Sequence, residues 1–285
     1  MNINKSNSSN PFLRGAIEIA REAGEILREE YAKPPEIRYK GEVDIVTQAD
    51  QRSEALIVER LRGEFPSHTI VAEEGGGSGD SAAEYVWHVD PLDGTTNFAH
   101  GYPCFAVSMA LLKDREPIAG VVFDPIHNEL FTAAAGEGAQ LNDESIHVSA
   151  VSKLAQGLLA TGFPVQKRTL NSNIYYYWDF TLRSHGVRRD GAAALDLCYI
   201  ACGRFDGFWE FGVKSWDTAA GMLLVSEAGG RVSDFAGHPF HPGGPEVLAT
   251  NGHIHEEMRQ IAVEIGKQAT LVPLQGPLFG DARQP

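Results

Sequence analysis

A run of nine residues, 90–98, carries the residue types from which a metal and phosphate site can be built. It reads Asp-Pro-Leu-Asp-Gly-Thr-Thr-Asn-Phe and follows an apolar, β-branched stretch, residues 84–89, that is typical of a strand. Asp90 and Asp93 therefore lie at a strand end. Two buried carboxylates placed there would repel each other, so either cations bind them or one is protonated. Cation binding is the simpler interpretation.

The residues that follow these aspartates suit an anion. Gly94 lets the backbone approach a ligand closely, and Thr95 and Thr96 add hydroxyls and N–H groups at a point where a helix could start, which favours phosphate. The structural alternative is that Asp90 only ends a strand and Asp93 only forms a turn. Because both acids coincide with the Gly-Thr-Thr segment, a metal and phosphate site is the preferred hypothesis.

Further acids occupy comparable positions. Glu73 and Glu74 follow an apolar strand and precede a glycine-rich loop, residues 75–79, that could fold over a site. Asp217 lies at the predicted start of a helix, where its carboxylate can cap backbone N–H groups and also face a ligand. The structural alternative is that it only caps the helix. Glu74 is interpreted as a neighbouring or solvent residue and not as a ligand.

A strand-to-helix junction adds two more acids, Asp44 and Asp50, on either side of residues 45–47. Magnesium prefers oxygen ligands from a few carboxylates, waters and substrate phosphate, so this set of residues suits magnesium better than zinc. Lys40 and Asp44 could serve the site, a salt bridge or a loop contact. His88, inside the strand before Asp90, is interpreted as a packed core residue.

Composition and charge restrict the class of protein. The chain has 285 residues, is 43% hydrophobic and carries a formal net charge of -14, without a dense Lys/Arg run. These values predict a folded protein with a large core and argue against nucleic acid as the main partner. Three cysteines without metal-type spacing suggest a reducing compartment, and no membrane span or signal peptide is recognised. We therefore expect a soluble, cytoplasmic protein.

Periodicity predicts helices followed by a sheet, and then an alternating α/β pattern. The predicted helices cover residues 11–33, 48–63, 172–184, 192–203, 217–229 and 254–267. The predicted strands cover residues 42–47, 68–72, 85–89, 105–112, 118–123, 130–134, 157–161, 207–211 and 246–250. The strands of the first half are expected to form a meander of antiparallel pairs. The expected organisation is a flexible N-terminus (1–10), a metal-binding α+β half (11–150), an α/β substrate half in the same catalytic unit (151–267) and a C-terminal tail (268–285).

Three separated segments carry a resemblance to a known family. They are Val-Ala-Glu-Glu-Gly at 71–75, the run at 90–98, and Trp-Asp-Thr-Ala-Ala-Gly at 216–221. The chain resembles the inositol monophosphatase family of magnesium-dependent, lithium-sensitive phosphatases. The resemblance implies a layered α/β/α/β/α sandwich of the inositol monophosphatase and fructose-1,6-bisphosphatase type, and our α/β (α+β) interpretation is compatible with that fold.

The resemblance also implies a set of metal ligands. Glu73, Asp90 and the carbonyl of Leu92 correspond to ligands of one magnesium, and Asp90, Asp93 and Asp217 to those of a second. A third, weaker ion near Glu73 would make two or three Mg²⁺ per site. Two metals roughly 4 Å apart stabilise both the attacking and the leaving oxygen of an in-line displacement.

The implied activity is that of an inositol-1-monophosphatase-like phosphoric monoester hydrolase. It would hydrolyse inositol monophosphate or a similar polyol or sugar phosphate by attack of metal-activated water. Thr95, paired with Asp50, corresponds to the pair that removes the proton from that water, and Glu73 is the third residue with an implied catalytic role. Backbone N–H groups of Gly94 and Thr95 would hold the phosphate, and Asp93 and Asp217 would also contact the substrate.

Substrate recognition is expected in the second half. Glu210 corresponds to a glutamate that binds inositol hydroxyls, and Gly191, Ala192 and Ala193 to a helix start whose N–H groups face the substrate. Many members carry Ser or Thr at the position of Ala192, and a small or uncharged residue at the position of Asp190. Both differences from the family pattern lie in the predicted pocket, so we do not expect strict specificity for inositol. The alternative for Glu210 is a subunit contact.

Two alternative functions stay open. One is a fructose-1,6-bisphosphatase or a dual-activity phosphatase, which shares the metal chemistry and differs in the pocket. The other is a regulatory protein, because some bacterial members act through RNA polymerase or RNA processing. The partners expected from the resemblance are a small phosphorylated polyol or sugar and a second copy in a homodimer. Nucleic acid and membrane are not expected.

Overall fold

The computed structural model of the protein describes residues 10–33, 38–39, 45–75, 83–163 and 173–269. Several of the predictions concern residues outside these ranges, namely Lys40, Asp44 and the glycine-rich loop after Gly75. The two predicted terminal segments also lie outside them, except for Asn10, Gln268 and Ala269. The helices are α1 (Pro11–Tyr31), α2 (Gln48–Glu64), α3 (Thr95–Ala99), α4 (Asn173–Arg183), α5 (Ala193–Ala201), α6 (Ser215–Glu227) and α7 (His255–Ala269), with a 3₁₀ turn at Leu154–Gln156.

Two larger sheets and one short strand pair contain the strands. The strands are β1 (Arg38–Tyr39), β2 (Ile45–Val46), β3 (Thr69–Ala72), β4 (Tyr85–Asp93), β5 (Ala106–Lys113), β6 (Glu116–Asp124), β7 (Glu129–Ala134), β8 (Gly138–Leu141), β9 (Glu144–Ile146), β10 (Leu158–Thr161), β11 (Gly186–Arg188), β12 (Gly207–Phe211), β13 (Arg231–Ser233) and β14 (Glu246–Thr250). β1 and β2 pair only with each other.

The larger sheet has seven strands in the order β3-β4-β5-β6-β7-β8-β9. From β4 to β9 every neighbouring pair is antiparallel, as the meander prediction required. The prediction is wrong for β3, which pairs with β4 in parallel. Strands in parallel end at the same edge of a sheet, so the residues after Ala72 and the end of β4 point to one place.

The smaller sheet has the order β11-β10-β12-β14-β13. Its first three strands are parallel, and β14 is antiparallel to both of its neighbours. The alternating pattern of the second half therefore gives a mixed sheet, because the connections of β12, β13 and β14 return the chain in the opposite direction.

The hydrophobic core has three parts, and together they define five layers. α1 and α2 pack on one face of the larger sheet. α5 and α6 lie between the two sheets and contribute small and branched residues to a core shared with both. α4 and α7 cover the outer face of the smaller sheet. The α/β/α/β/α architecture is thus confirmed. Among the residues that the structure covers, no helix is long and apolar enough to cross a membrane.

Local signals explain where most elements begin. Asn10 accepts N–H hydrogen bonds from Phe12 and Leu13, with Pro11 in the first turn, so the predicted start of α1 is confirmed. α6 begins two residues earlier than predicted. The short strands β8 and β9 were not predicted, although Asn142 and Asp143, both at positive φ, form a two-residue hairpin turn of the kind such residues favour.

Candidate active site

Strand β4 changes register at its end, and this change brings Asp90 and Asp93 together. Asp90 lies opposite Ser108 and Asp93 lies opposite Ala106, so two residues of β4 bulge against one residue of β5. In a regular strand, residues three apart point to opposite faces. The extra residue places both aspartates on one face, and the Leu92 N–H donates to Asp90 Oδ1 at 2.9 Å.

Gly94 makes the turn from β4 into α3. Its φ is 90°, a left-handed conformation in which a Cβ atom would also lie 2.8 Å from the carbonyl oxygen of Cys104. No other residue fits both conditions without strain. The turn therefore places Thr95 at the start of α3, immediately behind the two aspartates.

Four carboxylates from three elements interact at this point. Asp90 is buried, and burial followed by the charges of Glu73, Asp93 and Asp217 raises its pKa well above the usual value. Burial and the charge of Asp217 raise the pKa of Asp93 in the same way, while N–H donors from Ala194 and Ala193 oppose the shift. Carboxylates that raise each other's pKa favour protonation or cation binding.

Glu73 reaches the cluster because β3 is parallel to β4. Its N–H donates to the carbonyl of Val89 at 3.2 Å, which extends the β3–β4 pairing to the residue beside Asp90. The next residue is held elsewhere, since the Glu74 N–H donates to Glu54 Oε2 on α2 at 2.7 Å. The assignment of Glu73 as a site residue and Glu74 as its neighbour stays a prediction.

Asp217 both caps a helix and joins the cluster. Its Oδ2 accepts the Lys214 N–H at 2.7 Å at the start of α6. Burial raises the pKa of Asp217 to about 6, opposed by the hydrogen bonds from Lys214 and from the Asp90 carboxyl group. Two contacts hold this end of α6 against the larger sheet: His88 Nδ1 with Ser215 Oγ at 2.7 Å, and Ser108 Oγ donating to the Trp216 carbonyl at 3.2 Å.

Thr95 is paired with Asp50, as the resemblance implied. The Thr95 hydroxyl lies 3.0 Å from Asp50 Oδ1 and 3.0 Å from the Leu92 carbonyl oxygen. Asp50 Oδ2 accepts from the N–H and the hydroxyl of Thr47 at 2.7 and 2.6 Å. Burial raises the pKa of Asp50, and the donors on Thr47 and Thr95 oppose the shift. Sequence reasoning missed Thr47, although Thr-x-x-Asp before an apolar helix is a capping-box pattern.

The second half of the chain contacts this cluster through the start of α5. Asp93 Oδ2 accepts the Ala194 N–H at 2.8 Å. Asn97 on α3 donates to the carbonyls of Cys104 and Asp190, at 2.8 and 2.7 Å. Asn97 therefore fixes the segment that leads into α5, a role that its place in the run 90–98 did not reveal.

The residues at the start of α5 lie where the resemblance placed them. Gly191 has a φ of 82°, and Ala192 is the fully buried N-cap residue, without a side chain that can cap. The N–H groups of Ala193 and Ala194 donate hydrogen bonds to Asp93. The start of α5 therefore binds a carboxylate of the protein itself. Its role toward a substrate stays a prediction.

Glu210, on β12, is buried within electrostatic reach of Asp93 and Asp217. Burial and then the charges of Asp217 and Asp93, opposed by Arg189, raise the pKa of Glu210 to about 8. A Cβ atom at Gly162, on the neighbouring chain segment, would overlap the Glu210 carboxylate, so Gly162 makes room for it. The role of Glu210 in a substrate pocket stays a prediction.

Asp196, on α5, was not recognised from the sequence. Neither of its carboxyl oxygens has a hydrogen-bond partner among the described residues, and both are buried. Burial raises the pKa of Asp196 well above its usual value, and Asp190, Glu210 and Asp93 raise it further. One aspartate inside an apolar helix pattern gives no sequence signal of its own.

The donor set fits a hard cation. It consists of carboxylate oxygens and a backbone carbonyl, which are the groups that magnesium binds. Across the described ranges, no three acidic, His or Cys side chains are arranged to hold an ion as they stand. Magnesium needs fewer protein ligands, because it keeps waters and takes substrate phosphate oxygens. The mutual repulsion of Asp90, Asp93 and Asp217 supplies the electrostatic reason to bind a cation.

The layered fold and the clustered carboxylates define a class of hydrolytic enzymes, and comparison with known proteins identifies it. Residues 8–267 match the model of the inositol monophosphatase family. The chain therefore belongs to the inositol monophosphatase family, and this membership makes it a phosphatase.

Three relatives illustrate the similarity. Inositol-1-monophosphatase of Synechocystis sp. is 44% identical over 251 residues, covering 87% of this chain and 88% of the relative. A protein named putative Nus factor SuhB, of Neisseria meningitidis, is 42% identical over 255 residues, covering 88% and 98%. The solved inositol monophosphatase of Anabaena (Nostoc) sp. PCC 7120 superposes with a TM-score of 0.82 at 44% identity, covering 89% and 95%.

Proposed function

We propose that the protein is a magnesium-dependent phosphomonoesterase that acts on inositol monophosphate or a similar polyol or sugar phosphate. The observation that carries the proposal is the cluster of Glu73, Asp90, Asp93 and Asp217, in which the acids raise one another's pKa beside a Thr95–Asp50 hydrogen bond. Similarity to proteins named inositol-1-monophosphatase supports the substrate class.

The ligands follow from the family match and from the cluster. Glu73, Asp90 and the Leu92 carbonyl would hold one ion, and Asp90, Asp93 and Asp217 would hold a second. Bound magnesium would neutralise these carboxylates, lower the pKa of a water and offset charge on the phosphate oxygens. We propose two ions, with a third, weaker one near Glu73.

Thr95 and Asp50 orient the water that attacks phosphorus. The Thr95 hydroxyl donates to Asp50 Oδ1, which leaves its oxygen lone pairs to accept a hydrogen bond from water. Asp50 Oδ2 is fixed by two donors on Thr47, so the pair is held rigidly. As the new P–O bond forms, the water proton moves toward Thr95 and Asp50, with Glu73 beside it. The ester P–O bond breaks on the opposite side of phosphorus, and the leaving oxygen takes a proton from solvent water to depart as the alcohol.

The remaining contacts are assigned to the substrate. Backbone N–H groups of Gly94 and Thr95, at the turn into α3, would hold the phosphate, together with contacts from Asp93 and Asp217. Glu210 would bind hydroxyls of the polyol, since it makes no hydrogen bond to another described residue. The segment Gly191–Ala192–Ala193 would line the same side of the pocket.

The decisive test is phosphate release from four substrates with magnesium or with a chelator. They are inositol 1-phosphate, fructose 1,6-bisphosphate, adenosine 3′,5′-bisphosphate and histidinol phosphate. We expect the highest kcat/KM for inositol 1-phosphate, no release with the chelator, and inhibition by lithium. Highest activity on fructose 1,6-bisphosphate would favour the bisphosphatase alternative, and release that continues without a divalent metal would contradict the mechanism.

A second candidate role is supported by the names of relatives. A protein 42% identical to this chain is called a putative Nus factor. We infer that the chain could also act through a protein or RNA-processing partner, and that it does so as a homodimer. Replacing Asp93 by Asn in the cell separates the roles: full cellular function without phosphatase activity would favour the regulatory role. Sedimentation of the purified protein tests the dimer.

A further inference from the structure

The first two turns of α2 carry three buried polar residues on one face, Asp50, Ser53 and Glu54, which we call the α2 polar face. Their exposed fractions are 0, 0 and 4%. The spacing i, i+3, i+4 places them on the same side of the helix, and the same side continues with the apolar Ile57 and Leu61. Burying a polar side chain destabilises the folded state unless the side chain is hydrogen-bonded, so the hydrogen-bond partners of these residues indicate their role.

Each residue of the α2 polar face bonds a different segment of the candidate active site. Asp50 pairs with Thr95 on α3. Ser53 Oγ donates to the Pro91 carbonyl at 2.9 Å, in the bulge between Asp90 and Asp93. Glu54 Oε2 accepts the Glu74 N–H at 2.7 Å, in the turn after β3. One rigid helix thus contacts all three segments that supply the first proposed ion and its water.

The Glu54 contact acts on Glu73 through the backbone. The Glu73 N–H is held by Val89, the residue before Asp90, and the next N–H along the chain is held by Glu54. Two consecutive fixed peptide groups set where the Glu73 side chain starts and its distance from Asp90. Glu54 itself is not among the residues assigned to the ion.

We propose that Glu54 is a positioning residue that sets the affinity of the first metal ion by fixing Glu73, and that Ser53 does the same for the Leu92 carbonyl through Pro91. The inference rests on the proposed function, because it assigns a ligand role to Glu73 and Leu92. Groups that orient metal ligands from behind typically change metal affinity or activity about 10–100-fold when removed.

Two substitutions separate position from charge. Glu54→Gln keeps the length of the side chain and an oxygen that can accept the Glu74 N–H, but it loses the charge. Glu54→Asp keeps the charge but is one methylene shorter, so it cannot reach Glu74 without moving the turn. Glu59→Gln, on the exposed face of the same helix, is the matched control.

Magnesium affinity of the full chain should be measured by isothermal titration calorimetry without substrate, together with thermal unfolding in chelator. We expect Glu54→Asp to weaken magnesium binding about 10-fold or more, with an unfolding temperature close to the wild type. Glu54→Gln should keep most of the affinity, and Glu59→Gln all of it. In turnover assays, added magnesium should restore activity to Glu54→Asp with an unchanged KM for the phosphate ester.

Two results would overturn the inference. One is wild-type magnesium affinity in Glu54→Asp, whether or not its unfolding temperature falls, and the other is a loss in Glu54→Gln as large as in Glu54→Asp. If Glu54→Asp does not fold, the Gln variant decides alone, and weak binding there counts against the proposal. A wild type that binds magnesium but releases no phosphate refutes only the proposed function, whereas a wild type that binds no magnesium refutes both.

Discussion

The carboxylates around the proposed metal site, which we call the metal side, differ in how the protein holds them from Glu210 and Asp196, which we call the substrate side. On the metal side, Asp50, Asp93 and Asp217 each accept hydrogen bonds from N–H or hydroxyl groups, Asp50 and Asp217 at the start of their own helices and Asp93 from the start of α5. On the substrate side, neither Glu210 nor Asp196 has a hydrogen-bond partner among the described residues. Both sides are buried and acidic, but only one is fixed by the fold.

The difference indicates what each side requires from a ligand. Carboxylates already fixed by donors cannot relieve their mutual repulsion by turning away, so protonation or a bound cation is what stabilises them. A buried carboxyl group without a partner is costly until a donor reaches it, and hydroxyls of a polyol are such donors. We therefore propose that the first group of carboxylates binds the metal ions and that hydroxyls of the substrate complete the second group.

The largest effect is expected on the metal side, from Asp93→Asn. The variant loses a proposed ligand, so phosphate release should fall by a factor of about 10³ or more, the scale of removing a main electrostatic contribution to catalysis. With metal chelated, the same variant should unfold at a higher temperature than the wild type, because one of the repelling carboxylates is gone. Steady-state phosphate release and circular dichroism melting measure the two effects.

Asp143→Asn is the matched control for Asp93→Asn. Asp143 lies exposed in the β8–β9 turn, close to the opposite edge of the larger sheet from β3, and asparagine tolerates its positive φ. Activity and unfolding temperature should both be unchanged. Near-normal phosphate release from Asp93→Asn would remove Asp93 from the mechanism.

Thr95→Ala tests the pair that orients the water. Since proton transfer by a positioned group contributes about 10²–10⁴-fold, kcat should fall by about 10²-fold while KM changes little. Thr95→Ser keeps the hydroxyl and should retain most of the turnover. An unchanged kcat in the alanine variant would exclude Thr95 from the handling of the water.

The metal side was largely predictable from sequence because its residues lie in short, contiguous motifs at element ends. Asp90, Asp93, Gly94 and Thr95 share one strand-to-helix turn, and Asp217 starts a helix. The register shift that puts both aspartates on one face was not predictable, because a bulge depends on the partner strand. For the same reason the parallel pairing of β3, which brings Glu73 to Asp90, was missed.

On the substrate side, Glu210 was singled out only through the resemblance, and Asp196 was not predicted at all. Glu210 stands among aromatic residues in a buried strand and Asp196 among apolar residues in a helix, so neither has a local pattern that distinguishes it from a core position. Their proximity to Asp93 arises from long-range packing of α5, which lies between the sheets, against β12 of the smaller sheet. The α2 polar face was also missed, because its partners Pro91 and Glu74 are backbone groups of distant segments.

Glu210→Gln tests the substrate side through pH. The pKa of Glu210 is raised from 4.5 to about 8 in the folded protein, so the folded chain binds an extra proton between these values and unfolding releases it. The free energy of unfolding should therefore fall as pH rises from 4.5 toward 8, and the glutamine variant should show a flatter dependence. Denaturant unfolding at several pH values, in chelator, measures this slope.

The same variant should affect substrate choice more than turnover. The glutamine replaces one of the two carboxyl oxygens, which accept hydrogen bonds, by an amide NH₂ group, which donates them. KM for a polyol phosphate should therefore rise about 10-fold, while activity on a simple aryl phosphate is retained. Glu137→Gln, exposed in the β7–β8 turn, is the control. A pH dependence identical to the wild type would show that Glu210 is not a buried acid, and equal loss on both substrates would place it in the metal chemistry.

The smallest effect is expected from Ala192→Ser, which tests whether the substrate side can be fixed as the metal side is. Ala192 occupies the N-cap of α5 and offers no side-chain acceptor. A serine there can accept an N–H of the first turn, which stabilises helices by about 1 kcal/mol, and it adds a hydroxyl to the pocket. We expect a slightly higher unfolding temperature and a few-fold greater preference for inositol 1-phosphate over other phosphate esters.

Ala193→Ser, one residue inside the helix, adds the same hydroxyl without the cap and should not raise the unfolding temperature. If Ala192→Ser unfolds earlier than the wild type, the fully buried site has no room for the oxygen, and the loosely held substrate side is then a consequence of close packing and not of a missing cap.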